Sequence, residues 1–302
     1  MSKVLIQLPL NISRALDDML KEFGREMEIK HGLPVEIVSE LHCQAVDAGP
    51  IEIQPGQAID AAGRPDLIIG HVDYFTRLPG RLWEQDLRAL PGRFPLRPEL
   101  AQAGFADPEG YFHPFVVMPL AIFYNPDLLP ADGLPGSWED LLEPCWQGKI
   151  CMPDRHHLAP KMIRAHIQAH YPDQYHSFQA NLVHLGAPIN VIQAVDQGQY
   201  PLGVTNMAFA RIARGKNIRL LWPRDGMLCI PLVMAWGRDA DDRLLEFGDF
   251  MLSRPVQEYI ALQTFVPVSP AVAIPQFLAE HDFSLRWQGW DDYLETIGGL
   301  TD

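Results

Sequence analysis

The stretch YFHPFVVMPLAIFYN, residues 111–125, is the longest apolar segment of the chain and restricts its fold more than any other. It contains two prolines, Pro114 and Pro119. Proline lacks a backbone N–H and clashes within a helix, which excludes both an ordinary helix and a fully paired central strand. The segment therefore predicts an extended strand, interrupted in its pairing, that crosses between parts of the fold.

Before this segment the chain follows a β-α-β pattern. Apolar runs at residues 3–8, 35–39 and 66–70 predict buried strands. Apolar residues at helical spacing after the first run predict a helix that ends at Gly32, with Asn11 or Ser13 as its N-cap. This order favours a parallel sheet and an α/β fold.

After the segment, strands and helices continue to alternate. KICMPD (149–154) and YPLGVTN (200–206) predict strands, as do IRLLWP (218–223) and LCIPLVMAWG (228–237). Helices are predicted at 158–171 and at about 173–185, followed by a short element at INVI (189–192). SWED (137–140) has the spacing of a capping box.

Composition narrows the class of protein. The chain has 302 residues, of which 47% are hydrophobic and 21% charged, as in a globular protein with a sizeable core. The formal net charge of −14 disfavours a dedicated binder of nucleic acid or of anionic membranes. No apolar run reaches the roughly 20 residues that span a bilayer. The chain opens on strand-like VLIQL without an export signal, which a trimmed leader or a natural start at Met1 would equally explain.

The four cysteines are too sparse for a disulfide framework and form no C-x-x-C pair. Free thiols are the simplest expectation. Cys145 and Cys151 are near enough in sequence for a local bridge, and spacing alone leaves that question open.

Five segments resemble the type 2 solute-binding proteins of ABC importers, in the branch that contains ferric-ion, thiamine and phosphorylated-sugar binders. The first is IFYNPDLLP (122–130), followed by SWEDLLEP (137–144). The second is CWQGKICMPD (145–154), and the third is QGQYPLGVTN (197–206). The last two are WPRDGMLCIPLVMAW (222–236) and FGDFMLSRPVQEYIALQTFVPVSP (247–270). Each is weak alone, and their common order makes the resemblance specific.

The resemblance implies a two-lobed type 2 periplasmic-binding-protein fold with two extended crossover strands, near 115–124 and 229–236. Lobe one would comprise residues 1–118 and 235–302, and the inserted lobe two residues 119–234. A ligand would be held in a cleft between the lobes and trapped by hinge closure.

Loops at the carboxyl ends of the strands are the expected ligand-binding positions. The predicted contacts are Asn11, Ser13, His71, Asp73, Tyr74, Arg155, His156, His157, Thr205, Asn206 and Met207. Arg155 precedes a predicted helix start, and a guanidinium beside free backbone N–H groups suits a carboxylate or phosphate. Pairing of Arg155 with a surface acid is the alternative.

Ferric iron is disfavoured as the ligand. Family members that bind it have two adjacent tyrosines just after the strand that here reads LGVTN, whereas this chain has Met207 and Ala208. His166 and His170 lie at a chelating i,i+4 spacing and are weak metal candidates, although a solvated helix face explains them more simply. No other metal and no cofactor is predicted.

An enzyme is also disfavoured. Cys229 with His71 or His157 would supply a thiol and a base. However, Cys229 lies in an apolar strand, where a thiol is usually inert, and no catalytic motif is present.

The sequence therefore predicts a monomeric, non-enzymatic solute-binding protein for a small anionic or polar ligand. Its partner would be an ABC permease, with at most a peripheral membrane contact and no nucleic acid. It would act outside the cytoplasmic membrane if a leader has been removed. If Met1 is the natural start, a cytosolic ligand sensor or carrier with the same fold is the alternative.

Overall fold

The computed structural model describes residues 1–41, 65–72, 83–209, 217–281 and 284–298. The chain forms two compact units. The first unit consists of Met1–Val116, Pro231–Ile260 and Pro267–Val272, and the second of Val117–Ile230, Ala261–Val266 and Ala273–Asp302. The predicted lobe one runs to residue 302, whereas 273–302 fall in the second unit.

The first unit is built on a sheet in the order β2-β1-β3-β9. Its strands are β1 (Ser2–Leu8), β2 (Val35–Leu41), β3 (Leu67–Gly70) and the end of β9 (Met227–Trp236). β1 pairs parallel with both neighbours, and β9 pairs antiparallel with β3. The parallel strands at the predicted positions confirm the α/β class.

Helix α1 (Leu10–His31) connects β1 to β2. It ends at Gly32, whose φ of 61° is the left-handed conformation that glycine adopts without steric cost, and the Gly32 N–H donates to Glu28 O. The predicted N-cap was wrong. Pro9 is the N-cap and no side chain caps the helix, because the chain becomes helical directly after β1 and draws Asn11 and Ser13 into the first turn.

Two long strands run from one unit into the other. They are β4 (His113–Tyr124) and β9, and both are almost entirely buried. The pairing of β4 with β7 (Leu202–Asn206) starts at Leu120, directly after Pro119. In β9 the ladder with β3 covers only residues after Pro231. Pro119 and Pro231 thus lie outside the paired residues of these two ladders, where a missing N–H costs no hydrogen bond.

The second unit contains a sheet in the order β4-β7-β5-β6. It includes β5 (Ile150–Met152) and β6 (Leu182–His184), both parallel to their neighbours on this side of the sheet, and β8 (Arg219–Leu221) pairs antiparallel with β4. The helices that follow β5 and β6 are α4 (Leu158–His170), α5 (Tyr175–Asn181) and α6 (Pro188–Asp196). The capping-box bond is present, since Asp140 N donates to Ser137 Oγ.

The predicted helix at about 173–185 was wrong in its second half. α5 ends at Asn181, and Leu182–His184 form β6, in register with Ile150–Met152. The buried Asn181 side chain donates to the carbonyls of Leu141 and Glu143, which fixes the point where the helix stops. Pairing with β5 therefore outweighs helical periodicity in these residues.

Short elements complete both units. In the first unit these are α2 (Trp83–Asp86), α3 (Pro98–Gln102), α7 (Leu245–Met251) and most of α8 (Arg254–Leu262). In the second unit they are α9 (Gln276–Ala279), β11 (Leu285–Arg286) and α10 (Trp290–Gly298). β10 (Val266–Pro267) pairs with β4. The C-terminal segment belongs to the second unit because β11 pairs with Met227 and Leu228 and α10 packs on α4.

A single buried amide ties several chain segments of the first unit together. Gln257 is fully buried, and its Nε2 donates to Phe115 O and Met251 O, each at 2.8 Å. Its Oε1 accepts from Val268 N at 2.8 Å and from Ser269 N at 3.1 Å. All four bonds go to backbone groups that have few other means of satisfaction in the core.

We expect Gln257→Leu to lower the free energy of unfolding by about 3 kcal/mol or more, because it leaves buried backbone donors and acceptors without partners. Urea unfolding followed by circular dichroism measures the change. The matched control is Gln276→Leu, at an exposed helix position, which should alter stability by no more than about 0.5 kcal/mol. Equal stability of the two variants would contradict this role of Gln257.

Candidate functional site

In the first unit, Asn11 and Ser13 follow β1, and His71 follows β3. These strands are parallel neighbours, with Ile6 opposite Ile69, so their carboxyl ends lie side by side. The approach at Gly70 is close: a Cβ there would lie 2.5 Å from Gln7 O, so a larger residue would displace the end of a strand. Glycine is therefore required at the carboxyl end of β3.

Of the predicted first-unit residues that the structure describes, Asn11 is the one best placed to bind. It is half-buried, and its Nδ2 is a buried donor with no partner among the described residues. Ser13 and His71 are almost completely buried, at 8% and 3% exposure. Asp73 and Tyr74 lie outside the described residues. A ligand acceptor atom would satisfy the Asn11 amide.

In the second unit, the predicted residues lie at one edge of the sheet, where β5, β6 and β7 end. The turns after β5 and β6 are bonded to each other: Asp154 N donates to Gly186 O at 2.9 Å, and Gly186 N donates to Asp154 Oδ1 at 2.8 Å. His184 Nδ1 lies 2.7 Å from Pro153 O. These bonds hold the turns after β5 and β6 together as one rigid edge of the sheet, called the second-unit rim below.

Arg155 and the start of α4 form the basic part of this rim. Arg155 and His156 are exposed, and within the described residues the Arg155 guanidinium has no ion pair or hydrogen-bond partner. The alternative that Arg155 pairs with a surface acid is therefore not observed in the part of the chain that the structure describes. The rings of His156 and His157 are 4.4 Å apart, and no side chain caps α4. Its first N–H groups remain available to an acceptor.

The turn after β7 lies at the same edge of the sheet. Asn206 is half-buried, and its Oδ1 accepts from Ala208 N at 3.2 Å. Thr205 is fully buried, and its hydroxyl has no partner among the described residues. Met207 is also fully buried and Ala208 is 8% exposed. The neighbourhood in which ferric binders have tyrosines is thus apolar here.

The turn between β6 and α6 was not predicted from the sequence. Because a helix was predicted through residue 185, no strand end was expected there. Gly186 has a φ of 67°, and Pro188 occupies the first turn of α6. The Gly-x-Pro spacing at 186–188 is a turn-and-helix-start signal that identifies this rim position from sequence.

His166 and His170 lie on one face of α4 with ring centroids 4.2 Å apart. Within the described residues, no three His, Cys, Asp or Glu side chains are grouped so as to hold a metal ion. His170 Nδ1 lies 2.9 Å from His166 O. His170 also lines a cavity of about 490 Å³ between α4 and α10 that none of the predicted ligand residues lines.

The buried thiols of Cys151 and Cys229 are poorly suited to nucleophilic catalysis. Burial raises the pKa of the Cys151 thiol to about 12 and moves the pKa of the Cys229 thiol still further upward. Such thiols remain protonated near neutral pH, and a thiol is a poor nucleophile. Cys145 is exposed and free, and it is not bridged to Cys151.

The sequence matches the model of the family described as bacterial extracellular solute-binding protein over residues 65–296. The chain belongs to this family. This confirms the resemblance to the solute-binding proteins of ABC transporters. None of the helices in the described ranges has the length and apolar character of a membrane span. A comparison with curated protein sequences gives no match.

Solved structures similar to this chain share its fold. The ferric binding protein from Campylobacter jejuni is 15% identical, with 98% of this chain and 96% of that chain covered and a TM-score of 0.75. Iron-bound HitA from Pseudomonas aeruginosa is 17% identical, with 99% and 100% covered and a TM-score of 0.66. An ABC transporter protein from Clostridium perfringens is 18% identical, with 95% and 90% covered and a TM-score of 0.61. The predicted type 2 periplasmic-binding-protein fold is confirmed.

We expect His166 to make stability depend on pH. Burial, with smaller contributions from His170 and Arg286, lowers the pKa of His166 from 6.5 to about 3 in the folded protein. Protonation therefore favours the unfolded chain, so stability that is present above pH 6.5 is lost as the pH falls towards 3.

In urea titrations, His166→Phe should reduce the slope of stability against pH in this range, by up to about 1.4 kcal/mol per pH unit. His176→Phe, at an exposed position, is the control and should leave the slope unchanged. Parallel pH profiles for the wild-type protein and His166→Phe would refute the assignment.

Proposed function

We propose that this protein is the ligand-binding component of an ABC importer and closes around a small anionic ligand outside the cytoplasmic membrane. The family assignment supports solute binding and an extracytoplasmic location. It also supports a permease partner and a non-enzymatic role. The choice of an anionic ligand rests on the residues of the second-unit rim.

The observation that carries this choice is Arg155, which has no partner among the described residues, beside the start of α4, which no side chain caps. Helix α4 has 13 residues, so its N-terminus has a developed partial positive charge. The first-turn groups of Leu158 and Ala159 supply N–H donors, whereas Pro160 has none. A carboxylate or phosphate would accept from these donors and from the planar guanidinium together.

Hydroxyl and amide groups at the neighbouring turn suit the remainder of such a ligand. Asn206 is half-buried at the end of β7, and Thr205 beside it is fully buried, with no partner for its hydroxyl among the described residues. These groups would bind hydroxyl or carbonyl oxygens of an organic anion. The ligand class is therefore a polar organic acid or a phosphate ester.

Ferric iron fits this rim less well. Trivalent iron favours hard anionic oxygen ligands such as phenolate, and Met207 and Ala208 supply none. Several structures similar in fold are named as ferric binding proteins, which makes iron the second candidate to be tested.

We expect citrate, inorganic phosphate or glycerol 3-phosphate to raise the melting temperature of the purified protein, because a ligand that binds only the folded state stabilises it. Arg155→Ala should weaken binding of the stabilising anion about tenfold or more in calorimetric titration.

Arg25→Ala is the matched control, since Arg25 is exposed on α1 in the first unit, and it should bind as the wild-type protein does. Stabilisation by neutral sugars alone, with no response to any of the anions, would overturn the proposal.

We also expect ferric nitrilotriacetate to produce no visible charge-transfer band, because the turn after β7 offers no phenolate. Absorbance between about 400 and 500 nm measures this. A band that saturates at one iron per chain would instead favour the ferric candidate.

A further inference from the structure

We propose that Thr264 is a positioning residue that holds the β7 turn of the candidate ligand site. Thr264 has a φ of 67°, and among the described residues it is the one non-glycine residue in the left-handed region. A β-branched residue is disfavoured there because its side chain crowds the backbone. This role rests on the proposed function, because the β7 turn is part of the ligand site proposed above.

The left-handed conformation itself has an ordinary local cause. Thr264 follows α8, which ends at Leu262, and its N–H donates to Ala261 O at 3.0 Å. Helices commonly end in this way, with glycine or asparagine at the left-handed position. Glycine could occupy this position at the helix end without steric cost. The helix end alone therefore does not explain why residue 264 is a threonine.

The side-chain hydroxyl supplies what glycine would lack. Thr264 Oγ1 lies 3.1 Å from Met207 O and 2.6 Å from Gln263 O, so its one proton is shared between two carbonyls. Thr264 is buried, and both Thr264 and Met207 belong to the second unit. The bond to Met207 O fixes the backbone directly after Asn206, in the turn where Asn206 Oδ1 accepts from Ala208 N.

Within the second unit, Thr264 is also held through its backbone. Thr264 N donates to Ala261 O at 3.0 Å, and Ala261, Thr264 and Met207 all belong to this unit. The bond from Thr264 Oγ1 therefore restrains the Met207 carbonyl.

Hydrogen exchange of the ligand-free protein tests this role. Thr264→Gly removes the hydroxyl and relieves the backbone, so we expect an unchanged or higher melting temperature together with about fivefold faster exchange of the Ala208 amide. Thr264→Ser keeps the hydroxyl and should remain within about twofold of the wild-type protein. Amides of β5 should be unaffected in both variants.

If Thr264 stabilises the fold without holding the β7 turn, the exchange of the Ala208 amide will not follow this pattern. Unchanged exchange at Ala208 in Thr264→Gly, or equal acceleration in Thr264→Gly and Thr264→Ser, would overturn the proposal. If Thr264→Gly does not fold, Thr264→Ala against Thr264→Ser provides the same comparison, because both variants keep a Cβ.

Citrate titration provides the functional readout. We expect Thr264→Gly to bind citrate about three- to tenfold more weakly than Thr264→Ser. Equal citrate affinity in the two variants, despite faster exchange, would refute a role in the site. If the wild-type protein does not bind citrate, the titration uses inorganic phosphate or glycerol 3-phosphate. Absence of binding of all three anions counts against the proposed function, whereas the exchange result stands without any ligand.

Discussion

The four hydrogen bonds of the Gln257 side chain are the interactions on which the first unit most depends. Its amide satisfies two carbonyls and two N–H groups that belong to separate segments: β4, the end of α7 and the chain after β10. The interior of the chain is otherwise made largely of buried apolar residues. Hydrophobic burial supplies most of the driving force, and this amide specifies which segments meet.

Among the described residues, each unit carries unsatisfied polar groups at its strand ends. Arg155, the first turn of α4 and the Asn11 amide are unpartnered among the described residues, whereas the turns that carry them are firmly bonded. A binding site benefits from this combination, because rigid turns lose little entropy and free donors gain a partner on binding. The basic rim also lies on a chain with a net charge of −14, so the local sign differs from the overall sign.

Elements with strong local signals could be predicted from sequence, and elements defined by distant contacts could not. The proline-interrupted β4, the Gly32 helix end and the position of Arg155 follow from residues close in sequence. β6 was missed because its three residues continue a helical pattern and become a strand only by pairing with β5. The C-terminal segment was placed differently because its packing on α4 depends on residues more than a hundred positions away. The left-handed Thr264 has no pattern that would identify it.

The reciprocal bonds between Asp154 and Gly186 have a consequence for protein engineering. Each turn serves as the other's scaffold, so a loop transplanted into one position would lose its support unless its counterpart came with it. Retargeting this binder to another cargo would therefore require grafting both turns as a matched set, and a combinatorial library should diversify them jointly rather than one after the other.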